Sequence, residues 1–214
     1  MKLYAVRKGR KPGIYKTWAE AEAQVKGYSG AIFRSFSNKE DAQAFLDDVQ
    51  KPAEDVDYAA KIFTDGGTRN HGNYRGGHVL ATDKAAWAYL IQYQGQEISD
   101  SGGEFGATNN QMEQQALIEV LKKLIELNLN HENLLFTLDS HYVMDPIVSK
   151  RLNEWQSLGW RRPGGELKNA DRWQQIAKLL ANFDHADFAW THGHQGNYGN
   201  EFVDTKLNHY MDKM

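Results

Sequence analysis

The stretch LLFTLDSHYV (134–143) decides how the chain is read. Leu134 to Leu138 form an apolar run of strand length, as expected of a strand covered on both faces. Asp139 follows at once, and a carboxylate at the mouth of a buried strand costs free energy unless something pairs with it. A helix cap or a turn is the ordinary partner for a lone aspartate. A different answer is needed only if carboxylates recur in equally awkward places.

The pattern around this strand gives the fold class. AAKIFTD (59–65) reads as a strand ending in Asp65, and the glycine-rich stretch GGTRNHGNYRGGH (66–78) follows it. AAWAYLIQY (85–93) and QEISDSGG (96–103) read as strands of a meander. MEQQALIEVLKKLIEL (112–127) is an amphipathic helix with Ala116, Leu117, Val120, Leu121, Leu124 and Ile125 on one face. Helical stretches lie around 141–157 and 171–183, a last strand is DFAWTH (187–192), and 200–212 is a last helix. Strands in a meander, then strands alternating with helices, imply an α/β fold with a mixed sheet and helices packed on it.

A separate unit precedes this one. KLYAVR (2–7) and the end of GRKPGIY (9–15) read as strands, Thr17 to Glu20 as a capping box opening a helix, AIFRSF (31–36) as a strand, and Ser37 to Glu40 as a second capping box. The expected organisation is a small ββαβα domain over 1–47, a linker over 48–58 and a larger domain over 59–214. Residues 1–36 hold eight Lys/Arg and two Asp/Glu, so a basic head of +6 precedes a remainder of −9. A basic head on an acidic body points to a polyanionic partner.

Composition narrows the class further. The chain has 214 residues, 41% hydrophobic and 25% charged, with no cysteine, which excludes disulfides and cysteine-based metal sites or nucleophiles. No apolar signal region opens it and no stretch approaches a membrane span, so a cytoplasmic protein without a membrane partner is expected.

Awkward carboxylates do recur. Asp65 ends an apolar strand before Gly66-Gly67. Glu113 shares a helix face with Ala116, Leu117 and Val120, whereas Glu119, Lys122, Lys123 and Glu126 take the solvent side. Asp204 lies early in the last helix, three residues before Leu207 and seven before Met211. Singly, turns and helix dipoles explain each one. Together, two strand ends and two first helical turns would gather like charges, and divalent cations remove that conflict. Four carboxylates suit two Mg²⁺ ions and phosphodiester hydrolysis. His192 and His194 lie in a glycine-rich loop ten residues or so before Asp204, suited to moving protons near neutral pH. Zinc binding through His-x-His and a plain polar loop are the alternatives there.

FTDGG, TNNQMEQQAL, TLDSHYV, NEWQSLGW, LKNADRWQQI and WTHGHQGNYGNEFVD, in this order, resemble ribonuclease H type 1 from about residue 59 onward. The head, YAVRKGRKPGIYKTWAEAEAQVKGYSGAIFRSF, resembles the hybrid-binding (viroplasmin or caulimovirus-type) domain found before many members. The resemblance implies a ribonuclease H-like five-stranded mixed sheet flanked by helices, with its first and fourth strands as central neighbours. It implies an endonuclease that cuts the RNA strand of RNA/DNA hybrids with two Mg²⁺ ions (Mn²⁺ as a substitute), leaving 5′-phosphate and 3′-hydroxyl ends. Asp65, Glu113, Asp139 and Asp204 match the metal carboxylates, Glu201 an acidic residue that perturbs one metal, and His194 the loop histidine. Asn109, Asn110 and Ser140 match contacts to the minor groove and RNA sugar, Thr108 and Asn169 a DNA-phosphate pocket, and Trp155 and Trp160 a region along the DNA strand. Tyr4, Trp18, Phe33 and Arg34 match hybrid contacts in the head, which also implies double-stranded RNA as a second ligand. A monomer is expected.

Some residues depart from the pattern. Gly106 stands where many members carry an Arg, Ser35 replaces a common Lys, and the stretch from Asp65 to Thr108 is longer than usual. Two rivals remain: a non-catalytic binder of hybrid or double-stranded RNA, and a related nuclease acting on DNA.

Overall fold

Alternation along the first strand builds the head. The computed structural model of the chain describes residues 2–28, 31–47, 56–69, 79–162, 165–191 and 197–214. It divides into two units, Met1–Lys51 and Pro52–Met214. In the first, the order is β1 (Leu3–Lys8), β2 (Gly13–Tyr15), α1 (Trp18–Val25), β3 (Ile32–Phe36) and α2 (Lys39–Asp47). β1 is central, antiparallel to β2 and β3. Leu3 and Ala5 pack with Ala42 of α2, while Val6 packs with Ala21 and Val25 of α1, so β1 is buried on both faces. Thr17 caps α1 through a reciprocal box with Glu20, as its sequence predicts.

The second unit contains β4 (Ala60–Arg69), β5 (Lys84–Tyr93), β6 (Gln96–Phe105), α3 (Asn109–Glu126), β7 (Asn133–Leu138), α4 (His141–Val148), α5 (Arg151–Ser157), the two-residue strands β8 (Arg161–Arg162) and β9 (Gly165–Glu166), α6 (Ala170–Leu180), β10 (His185–Trp190) and α7 (Tyr198–Lys213). The five-stranded sheet has the order β10-β7-β4-β5-β6. β4, β5 and β6 form an antiparallel meander, and β7 runs parallel to both β4 and β10. This is the expected mixed sheet, with β4 and β7 side by side at its centre.

Two cores cover its faces. Ile62, Tyr89, Ile91 and Phe136 meet Leu117, Leu121 and Leu124 of α3 on one side. Phe63, Ala86, Ala88 and Leu90 meet Val203, Leu207 and Met211 of α7 on the other. Every residue from Leu134 to Leu138 is buried, which accounts for the unbroken apolar run of β7.

One expectation is corrected. β4 does not end at Asp65. It stays paired with β5 as far as Arg69 opposite Lys84, but its pairing with β7 stops at Thr64 opposite Leu138. Asp65 therefore lies in mid-strand, at the point where one of two neighbours gives out. Glu113 and Asp204 likewise lie in the second turns of α3 and α7, which begin at Asn109 and Tyr198, so the helix-dipole explanation for them loses its basis. The short β8–β9 ribbon has no counterpart in the sequence reading. No helix among the described residues is long and apolar enough to cross a membrane.

Candidate metal centre

Gly66 sets the distance between α3 and the sheet. A Cβ built there would lie 2.1 Å from the Glu113 nitrogen and 2.2 Å from the Met112 carbonyl carbon. The helix backbone thus rests directly on the strand, one residue from Asp65. Thr108 fixes the start of the same helix: its side chain accepts from the Gln111 N–H at 3.3 Å, and the Gln111 side chain accepts from the Thr108 N–H at 2.8 Å. The sequence TNNQ carries this capping box, although the reading of the sequence started the helix at Met112. Gly66→Ala is expected to destabilise the larger unit by roughly 3 kcal/mol or more, because backbone has to move to admit one methyl. Thermal melting checks this, and an unchanged midpoint would mean that α3 does not need that contact.

Asp65, Glu113 and Asp139 present carboxylate oxygens that all lie within 4.8 Å of one another. They come from β4, from α3 and from the residue after β7, so only the folded sheet assembles them. Burial, with the Asp139 and Asp204 charges added, pushes the Asp65 carboxyl up to about 7. Burial, then Asp65 and Asp139, holds Glu113 well above the ordinary carboxylate range. Asp204 lies outside the tight group but close enough to act on Asp65, and its Oδ1 accepts from Asn208 Nδ2 at 3.1 Å.

Asn200 belongs to this centre and was missed in the sequence. It is buried, its Nδ2 lies 3.4 Å from Asp139 Oδ2, and its Oδ1 has no hydrogen-bond partner among the described residues. The available signal was its spacing: Asn200 shares the face of α7 that carries Val203, Leu207 and Met211, where a polar side chain needs a reason. Trp190 Nε1 donates to the Asp139 backbone oxygen at 3.1 Å and anchors the segment after β7.

The donor set fits a hard divalent cation. Three carboxylates in one place, in a chain without cysteine, suit a hard divalent cation that takes oxygen ligands. The raised affinity of two of them for protons is the mark of negative charge gathered without enough positive charge to balance it.

The other expected site residues fall into three groups. Asn109 and Asn110 are exposed in the first turn of α3, next to exposed Thr108, and Ser140 is the N-cap residue of α4 with no side-chain capping bond. Asn169 precedes α6 with φ of 55° and donates from Nδ2 to Tyr142 Oη at 3.0 Å, and Glu201 is exposed in the first turn of α7. In the head, the rings of Tyr4, Trp18 and Phe33 form a chain with centroids 5.5 and 5.4 Å apart, and Trp18, Phe33 and Arg34 are exposed. Trp155 belongs to a different class. It is buried in the main core, 5.4 Å from Trp173 between ring centroids, so packing accounts for most of its surface. Trp160 is half-buried against the same core with φ of 62°. His194 and its neighbour His192 lie outside the described residues.

Comparison with known proteins agrees with this geometry. The model of the ribonuclease H1 N-terminal domain matches residues 2–46, and the RNase H model matches residues 57–209. A ribonuclease H from Zymomonas mobilis is 38% identical over 138 residues, covering 59% of this chain and 83% of that protein. Among solved structures, LC9-RNase H1, a type 1 RNase H with the type 2 active-site motif, superposes with a TM-score of 0.60 at 20% identity, covering 75% of each chain. The foamy viral protease-reverse transcriptase in complex with RNA/DNA hybrid gives a TM-score of 0.57 at 18% identity over 79% of this chain and 23% of that one. With carboxylates converging where β7 stops, and with the domain model matching residues 57–209 of that unit, the chain belongs to the ribonuclease H family of enzymes.

Proposed function

We propose that the protein hydrolyses the RNA strand of RNA/DNA hybrids by a two-ion mechanism, leaving 5′-phosphate and 3′-hydroxyl ends. The observation that carries this is the convergence of Asp65, Glu113 and Asp139 from three separate elements to within 4.8 Å. Asp65, Glu113 and Asp139, with Asp204 beside them, would hold two Mg²⁺ ions. Bound there, the ions supply the Lewis acidity that activates water and stabilises the leaving 3′ oxygen. Asn200 orients the Asp139 carboxylate through its amide N–H. His194 would carry a proton between the reacting groups and solvent, and Glu201 would perturb the binding of one ion.

Recognition divides along the surface. Asn109, Asn110 and Ser140 read the 2′-hydroxyls that separate RNA from DNA, and Thr108 and Asn169 take a phosphate of the DNA strand. The Tyr4–Trp18–Phe33 ring chain with Arg34 beside it suits sugar and base stacking with phosphate contact. The same surface would accept double-stranded RNA, and a monomer would suffice for the reaction.

The test is cleavage of a hybrid labelled on each strand, with Mg²⁺ or with a chelator, beside duplex DNA and duplex RNA. Metal-dependent cutting confined to the RNA strand of the hybrid supports the reading, and cutting of duplex DNA would replace it with a DNA nuclease. A second expectation concerns the head. Trp18→Ala combined with Phe33→Ala should raise KM for long hybrids about tenfold while kcat stays within about twofold. An equal fall in kcat would mean that the ring chain takes part in more than binding.

A further inference from the structure

The strands β7 and β10 stop together. Leu138 ends β7 opposite Trp190, which ends β10, and a backbone bond from Thr191 N to Leu138 O at 2.9 Å closes the pair. Asp139 is the next residue, and a side chain takes hold of it: the Trp190 Nε1–H donates to its backbone oxygen at 3.1 Å. An indole has one N–H, fixed in the ring plane, so this bond exists only while the ring keeps its orientation.

His141 sets that orientation. Its ring stacks on the Trp190 indole, with centroids 4.7 Å apart and planes 23° from parallel. The imidazole is held in turn. Its Nδ1 lies 3.3 Å from Asp145 Oδ1, one turn on along α4, and the two side chains are only 19% and 20% exposed. Neither His141 nor Asp145 belongs to the carboxylate group of the centre. The chain Asp145–His141–Trp190 nevertheless ends on Asp139, the one member of that group that lies outside a strand or helix. Regular backbone places Asp65 and Glu113, whereas Asp139 depends on side-chain contacts such as these.

We propose that His141 is a positioning residue for Asp139, acting through the Trp190 indole. It holds the ring that holds the Asp139 backbone, while Asn200 addresses the carboxylate itself. The inference rests on the hybrid-cleaving reading above, in which Asp139 helps to hold an ion. A ligand oxygen has to be kept within about 0.5 Å of its productive place. Groups that orient a metal ligand are accordingly worth about ten- to a hundredfold in metal affinity. An indole turned to another rotamer would release the backbone oxygen and let the Asp139 carboxylate drift from Asp65 and Glu113.

The test titrates Mg²⁺ alone into the full-length chain by calorimetry, for the wild type, Trp190→Phe, His141→Ala, His141→Phe, and Trp190→Phe combined with His141→Ala. Trp190→Phe keeps a ring and loses the N–H, and His141→Phe keeps a ring to stack, so folding should survive in both. Mg²⁺ affinity is expected to fall about tenfold in Trp190→Phe and in His141→Ala, and no further in the combination, because both act along one path. It should stay within about threefold of the wild type in His141→Phe, which restores the stack. Cleavage should follow: kcat falls at limiting Mg²⁺ and returns at excess Mg²⁺, with KM for the hybrid within about twofold. Unchanged affinity in Trp190→Phe or in His141→Ala, losses that add in the combination, or a His141→Phe as weak as His141→Ala would overturn the proposal. So would a raised KM with kcat intact, which would make His141 a substrate contact instead. Failure of the underlying reading looks different: the wild type itself would bind no Mg²⁺ and cut no hybrid.

Discussion

Asp139→Asn is expected to lower the rate of hybrid cleavage by on the order of a thousandfold or more, while hybrid affinity stays within a few-fold. The change keeps the size of the side chain and removes one negative charge from a group already short of positive balance. Its amide oxygen can still accept from Asn200, and the Trp190 bond goes to the backbone oxygen, which the substitution leaves alone. Folding is therefore not at risk. What is lost is one of three carboxylate charges within 4.8 Å, and with it much of the attraction that holds a cation. Affinity should survive because the Tyr4–Trp18–Phe33 surface lies in the other unit. Steady-state cleavage and gel-shift titration on one labelled hybrid read the two quantities separately. Cleavage that persists would return Asp139 to a turn residue, and binding lost together with cleavage would make it a structural one.

The sequence made the centre legible where the anomaly was local. An apolar run ending in Asp139 and an acid on the wrong face of a helix, Glu113, are visible because strand and helix periods fix which way each side chain goes. The position of Asp65 was only half legible. Its strand continues to Arg69 because β5 remains as a partner, and the length of a neighbouring strand is not written in the strand itself. Asn200 was overlooked because asparagine in a glycine-rich approach to a helix looks like capping material, and Asn197 is indeed the residue that caps α7, accepting from the Gly199 N–H at 3.2 Å. Trp155 is ambiguous in the sequence for a different reason. A tryptophan suits both a core and a stacking surface, and only the folded chain shows its packing against Trp173. Gly106 was noted as a departure, but its cause, the backbone of Ala81 against it, lies in a segment whose path the sequence does not give.

The same gathering of charge should make the cation-free protein less stable as pH rises. In the folded chain the Asp65 carboxyl is pushed up to about 7, against an ordinary value of 3.8 when unfolded. Below about pH 4 both states hold the proton and the shift contributes nothing. Between about 4 and 7 the unfolded chain has released it and the folded chain keeps it, so each step up in pH favours unfolding. Above about 7 both are ionised and the full penalty stands, on the order of 4 kcal/mol as an upper bound for a site that water still reaches in part. Glu113 acts in the same direction. Asp65→Asn removes this penalty, so without cations the variant should melt several degrees above the wild type at about pH 8, with little difference at about pH 4. Mg²⁺ should raise the melting point of the wild type at the higher pH and the variant much less, because binding to the folded state alone is what stabilises. Calorimetry at both pH values, with chelator and with Mg²⁺, reads all of this. A wild-type melting point that does not fall between the two pH values in chelator would show that Asp65 carries no such charge strain. An asparagine variant less stable at the higher pH would show that the carboxylate holds the fold together there, as an ordinary buried partner would, and does not wait for a cation.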